Sequence, residues 1–170
     1  MGSDGLKLVA LLAVLVCAAC GGGPTASGTA EVDSVRDGDT ILLADGRRVR
    51  LVQVDAPELG VECWGDEAAD ALERLAPAGT ELRLERDPGL DDTDRYGRLL
   101  RYAYAGERDL ALELVRAGAA APYFYRGERG LHARRLVAAA HEARAKRRGL
   151  WGTCPDARLR PERQVATGPS

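Results

Sequence analysis

The run Thr40-Ile41-Leu42-Leu43-Ala44-Asp45-Gly46-Arg47-Arg48-Val49-Arg50-Leu51-Val52-Gln53-Val54 decides the fold. Two stretches rich in apolar and β-branched residues flank Asp45-Gly46, a dipeptide suited to the positive φ of a tight hairpin turn. A third such stretch, Glu31 to Val35, precedes them, so three antiparallel strands are expected over 31–35, 40–44 and 48–54. Beyond this meander the period changes. Ala68, Ala71, Leu72 and Leu75 fall on one face of a helix expected over 66–75, ended by Pro77 and Gly79. Residues 80–86 and 98–105 return to strand character. A second helix follows, with Asp109 as N-cap, Leu110, Leu114 and Val115 inside, and Gly118 at its end. The last helix is expected over 131–148, with Ala133, Leu136, Val137 and Ala140 as its apolar stripe. Arg134, Arg135, Arg144, Lys146, Arg147 and Arg148 crowd its other faces, which reads first as a solvated surface and second as a nucleic-acid contact. Five strands with a helix after the third, and further helices behind, describe an α+β fold: a small five-stranded OB-type β-barrel with three α-helices.

The flanks of this domain carry other signals. Lys7 precedes an apolar run from Leu8 to Cys20, too short to span a bilayer and shaped like a signal peptide. Cys17-Ala18-Ala19-Cys20 resembles a lipobox, which makes Cys20 a candidate lipidation site and the protein a cell-envelope lipoprotein. Ordinary secretory cleavage and an uncleaved anchor are the alternatives. All three place the domain outside the cytoplasm. Residues 21–30 are expected to form a flexible tether, 31–154 the folded domain, and 155–170 a disordered tail. Export leaves Cys63 and Cys154 in the mature domain, and two cysteines in an oxidising compartment suggest a disulfide, with two separate buried thiols as the alternative. A net charge of −2 excludes binding of nucleic acid by bulk electrostatics, so any such contact must come from local clusters.

Three segments place acids and arginines within strand-like sequence: Asp37-Gly38-Asp39-Thr40, Arg50 to Glu58, and Asp94-Arg95-Tyr96-Gly97-Arg98. Pairing about the Asp45-Gly46 turn brings Asp39 and Asp55 to one end of the hairpin, where two carboxylates suit a hard cation such as calcium. Arginines and a further carboxylate nearby are what phosphodiester cleavage needs, as donors to charge on phosphorus oxygens and as an acceptor for water. Strict alternation cannot place Arg50 and Asp55 on one face, so a bend or bulge between them is required.

In their order and spacing these segments resemble the staphylococcal nuclease (thermonuclease) family, and the similarity runs from about Val32 to Trp151. The resemblance implies an OB-type barrel with three helices and a calcium-dependent endonuclease that leaves 3′-phosphorylated products from DNA and RNA. It makes Asp39, Asp55 and the backbone carbonyl of Ala56 the calcium ligands, and Asp37 an acid behind them. Arg50 and Arg98 correspond to the arginines that stabilise the transition state, and Glu58 to the carboxylate that serves the attacking water. Tyr96, Tyr123 and Tyr125 match aromatic positions of the nucleotide pocket, where rings stack on a base without reading it. A monomer acting on nucleic acid is implied, held at the membrane if Cys20 carries lipid. Two departures stand out: Ala56 replaces a common Thr, and the segment after Glu58 is short and lacks lysines, which predicts a shallower salt dependence. Degenerate relatives of this fold act as noncatalytic nucleic-acid- or protein-binding modules, the alternative function here. They usually lose carboxylates or arginines that this chain retains.

Overall fold

A computed structural model describes residues 28–169. The signal segment, the candidate lipidation site Cys20 and most of the tether lie outside these residues. The hairpin forms as expected: β2 (Thr40–Leu43) pairs antiparallel with β3 (Arg48–Leu51), with Thr40 opposite Arg50 and Ile41 opposite Val49. Gly46 turns the chain at φ 84°, and the Asp45 carboxylate accepts the Arg47 amide at 3.0 Å. Alternation sends Ile41, Leu43, Val49 and Leu51 inward, all fully buried.

β1 (Gly28–Asp37) pairs with β2 on one side and with β5 (Glu81–Glu85) on the other. Its first three residues were expected in the tether; instead Gly28, Thr29 and Ala30 pair with Leu84, Arg83 and Leu82. β5 pairs antiparallel with β6 (Leu99–Ala105), which closes the barrel through a parallel pairing with β3. Closure removes the open edges that a free sheet would present. The barrel is thus five-stranded and mixed.

The single strand expected over 48–54 is interrupted. β3 stops at Leu51, Gln53 takes a left-handed φ of 65°, and a short β4 (Val54–Asp55) pairs instead with β8 (Ala121–Pro122). A two-residue β7 (Arg108–Asp109) extends the edge of β6 and leads into α2.

The helices are α1 (Gly65–Leu75), α2 (Leu110–Ala117) and α3 (Ala133–Ala145), followed by a single turn, α4 (Leu150–Thr153). Asp109 caps α2, its Oδ1 accepting the Leu112 amide at 3.2 Å, and Gly118 ends the helix at φ 71°. Leu72, Leu110, Leu114, Leu136 and Ala140 join the barrel interior in one core. Each fully buried leucine contributes roughly 1.5–3 kcal/mol of transfer free energy.

Cys63 and Cys154 are bridged, with Cα atoms 6.0 Å apart, joining the loop before α1 to the end of α4. The tail expected to be disordered from Pro155 does not stay away from the domain. Val165 and Thr167 are buried, the Phe124 amide donates to Pro161 O, and the Cys63 amide donates to Gly168 O. Its apolar residues are too scattered to read as a stripe: Val165 joins a small core with Leu150, Trp151 and Cys154, Ala157 and Leu159 pack against it, and hydrogen bonds hold the rest.

Candidate active site

Asp37, Asp39, Arg50, Asp55, Ala56, Glu58, Tyr96 and Arg98 line one cleft of about 600 Å³ beside the open end of the hairpin. Each arrives for a local reason. Asp37 and Asp39 flank Gly38 in the β1–β2 turn, where Asp37 Oδ1 accepts the Asp39 amide at 3.0 Å. A Cβ at Gly38 would stand 2.6 Å from the Ala56 Cβ and 2.8 Å from the Ala68 Cβ, so only glycine lets this turn seat against α1 and the 54–58 segment. The Gln53 reversal supplies the bend that alternation lacked and brings Asp55 back to Arg50.

Arg50 is the hub. Its Nη2 donates to Asp55 Oδ1 at 2.6 Å and lies 3.0 Å from Asp39 Oδ2, while Nη1 donates to Val54 O at 2.7 Å and Leu51 O at 3.3 Å. Asp39 is further tied by the Thr40 hydroxyl to Oδ1 and the Ala56 amide to Oδ2. Burial is the main force on these acids. It pushes Asp39 up to about 7, against the pull of Arg50 and with the help of neighbouring Asp37 and Asp55. Asp55 is raised as well, by burial first, although Arg50, the Val165 amide and Gln164 oppose the shift. Burial alone would lower Arg50, but the carboxylates of Asp39 and Asp55 outweigh it and leave the guanidinium held charged.

Asp37, Asp39 and Asp55 thus gather around Arg50 at one end of the cleft, while Arg48, Arg95 and Arg98 also line it. Two buried carboxylates converging there suit a hard cation. Among the described residues no three His, Cys, Asp or Glu side chains form a metal cage. A cation here would take Asp39, Asp55 and a backbone carbonyl from the protein and complete its shell with water or phosphate oxygens.

Arg98, just before β6, is aimed by Asp94, whose Oδ2 accepts Nε at 2.6 Å and whose Oδ1 accepts the Tyr96 and Arg98 amides. Arg98 Nη1 also donates to the Thr40 hydroxyl at 3.2 Å, and that hydroxyl donates to Asp39, so one threonine links the second arginine to the acids. Glu58 is exposed at the rim, its backbone fixed by the Glu62 carboxylate on its amide.

A second cavity of about 470 Å³ adjoins the cleft and shares Arg50, Tyr96 and Arg98 with it. Tyr96, Tyr123 and Tyr125 all line it, with Tyr96 and Tyr125 more than half exposed. Arg95 and Arg98 lie over the Tyr96 ring at 4.7 and 5.5 Å. The disulfide lies outside both cavities.

Thr40 and Asp94, which stood in the acid- and arginine-bearing segments without a role of their own, also belong to this site, as do Gln164 and Val165, which the sequence did not mark. Asp94 had a signal, an Asp before a Tyr-Gly-Arg turn, where Asx-type hydrogen bonds to following amides are common. Gln164 and Val165 had none.

A family model described as "Staphylococcal nuclease homologue" matches residues 48–153. The thermonuclease of Staphylococcus hyicus is 33% identical over 131 residues, covering 72% of this chain and 75% of that protein. Protein ParB of Escherichia coli is 36% identical over 159 residues, covering 86% and 83%. Endonuclease YncB of Bacillus subtilis (strain 168) is 36% identical over 97 residues, covering 52% and 45%. With the family model covering more than half the chain and a closed five-stranded barrel around the matched segments, the protein belongs to the staphylococcal nuclease homologue family.

Proposed function

We propose that this protein is a calcium-dependent endonuclease that hydrolyses phosphodiester bonds of DNA, RNA or both. The observation that carries the reading is one cleft in which buried Asp39 and Asp55 meet two arginines, each held by carboxylates, with Glu58 exposed at the rim. The named activities of the thermonuclease and endonuclease relatives point the same way.

When bound, calcium would supply Lewis-acid polarisation of a phosphate oxygen and a place for water. Asp39, Asp55 and the Ala56 carbonyl are the groups that would hold it. The chain's own residues do the rest. Arg50 and Arg98 donate to the nonbridging oxygens as negative charge grows on phosphorus, an interaction strongest in the transition state. Glu58 accepts the proton of the attacking water or orients it, from a position open to solvent. Asp94 keeps Arg98 extended toward the phosphate, and Asp37 fixes the turn that carries Asp39. Tyr96, Tyr123 and Tyr125 offer ring faces to a flanking base, which favours single-stranded or frayed substrate and little sequence preference.

An exported location, as a lipoprotein through Cys20 or a secreted protein, and action as a monomer complete the proposal. The Cys63–Cys154 bridge supports the oxidising compartment.

Digestion of single-stranded DNA by the mature chain tests the reading, with calcium titrated against chelator and Glu58→Gln assayed alongside. Calcium-dependent cleavage that falls by about 10²–10⁴-fold in the variant is expected for a lost general base or water-orienting group. Folded protein that cuts nothing at any calcium level, yet retains the strand, would move the assignment to a noncatalytic binding module.

A further inference from the structure

The acids of the cleft are positioned partly from the far end of the chain. The segment after the Cys63–Cys154 bridge crosses the site and is fixed at both ends: Phe124 donates its amide to Pro161 O at 2.6 Å, and the Thr167 hydroxyl donates to Cys63 O at 2.6 Å. Between these anchors the Val165 amide donates to Asp55 Oδ2 at 2.8 Å, with the valine side chain buried. Gln164 is exposed and lines both the acid cleft, with Asp55, and the tyrosine cavity where they meet.

We propose that residues 161–168 are a working wall of the site, in which the Val165 amide and the Gln164 amide group position Asp55 for the cation, and Gln164 touches the nucleic-acid strand passing from cleft to cavity. The inference rests on the nuclease reading above and deepens it. With Arg50 on Oδ1 and Val165 on Oδ2, the Asp55 carboxylate has its plane set by two donors from opposite sides. Gln164 suits this junction because it is uncharged. An amide beside Asp55 does not compete electrostatically with a cation, as a Lys or Arg there would. Its own exposure leaves the remaining amide atoms available to a sugar or phosphate.

The test uses the full mature chain and three variants: Val165→Pro, which removes the donating N–H; Gln164→Ala; and Gln164→Met, which keeps length without a donor. Calcium affinity is measured by calorimetry, kcat and KM on a single-stranded oligodeoxynucleotide, and folding by circular dichroism and thermal midpoint. Val165→Pro is expected to weaken calcium binding about tenfold. Both Gln164 variants are expected to weaken it about threefold and to raise KM severalfold. Calcium affinity and KM within twofold of the parent in folded Gln164→Ala and Gln164→Met would overturn the proposal, even if melting temperature fell, because the segment would then be structural only. Should Val165→Pro not fold, the exposed Gln164 position decides alone. A parent protein that neither binds calcium nor cuts would overturn the nuclease reading itself, an outcome distinct from unchanged variants of an active parent.

Discussion

Arg50 and Asp55 are five residues apart on one strand-like run, yet Nη2 of the first lies 2.6 Å from Oδ1 of the second. The contact exists because Gln53 adopts a φ of 65° and lets Val54-Asp55 leave the barrel to pair with Ala121-Pro122. Gln53 is locked in that conformation from both ends: its carbonyl accepts the Tyr123 amide, its Oε1 accepts the Tyr102 hydroxyl, and its Nε2 reaches Glu128 O. A strained backbone residue is thereby held by the surroundings at the point where the site is assembled.

The guanidinium between Asp39 and Asp55 has a cation's place. Arg50 and calcium therefore compete for the same carboxylates, and Arg50→Ala is expected to separate binding from catalysis. In chelator the variant should lose about 3–5 kcal/mol of stability, since buried carboxylates lose their partner. Calcium should bind it more tightly than the parent and raise its melting temperature by a larger margin, while cleavage falls by about 10²–10³-fold or more. Calorimetry, thermal melts and a cleavage assay on one preparation check all three. Weaker calcium binding in the variant would refute the competition.

Asp39 gives the protein a pH signature in the absence of divalent ions. Its folded pKa stands at about 7 against an ordinary 3.8, so the folded state holds this proton more tightly than the unfolded chain. The stability associated with that proton is fully present below about pH 4, falls as pH rises toward 7, and is lost above it. Asp55, raised for the same first reason, adds to the fall. Urea denaturation in chelator across pH 4–8 should show the decline, and Asp39→Asn should flatten it and be more stable than the parent at pH 8 by roughly 1–3 kcal/mol. A parent whose stability climbs through that range would contradict the burial argument.

The barrel was legible because its signals are local. Asp45-Gly46 marks the hairpin turn, with Gly46 at positive φ, Asp109 and Gly118 mark the ends of α2, and the change from period 2 to 3.6 at Ala68 marks α1. That a bend must lie between Arg50 and Asp55 was legible, but not that Gln53 makes it. No glycine marks it, and its support comes from Tyr102, Tyr123 and Glu128, all distant in sequence. The same holds for Val165, whose partner Asp55 lies 110 positions away. Local composition can state that a segment lacks an apolar face, but not which carboxylate its amides will reach.

Asp94 divides its two oxygens between the backbone of its own turn and the side chain of Arg98, so its loss should act through that arginine. Asp94→Asn keeps an acceptor for the amides but exchanges the charged partner of Nε for a neutral one. Cleavage is expected to fall about tenfold, less than for Arg98→Ala at about 10²–10³-fold, and the double variant should be no worse than Arg98→Ala alone. Additive losses in the double variant would show that Asp94 has a role of its own. Calcium affinity should hardly change in either single variant, because neither residue touches Asp39 or Asp55 directly.

The Cys63–Cys154 bridge closes a loop between positions 91 apart in sequence, and the entropy this removes from the unfolded chain is worth roughly 4–5 kcal/mol. That is a large share of the 5–15 kcal/mol by which small domains are usually stable. The bridge also sets where residues 161–168 begin, and Cys63 itself meets that segment through its amide to Gly168 O and its carbonyl to the Thr167 hydroxyl. Reduction should therefore have two separable effects. The denaturation midpoint should fall by an amount matching several kcal/mol, and at temperatures where the reduced protein stays folded, calcium affinity should weaken as the wall behind Asp55 loosens. Cys63→Ser with Cys154→Ser should reproduce both effects without reductant. A double variant that loses stability but binds calcium as the parent does would confine the bridge to the unfolded-chain effect and leave the wall held by its hydrogen bonds alone.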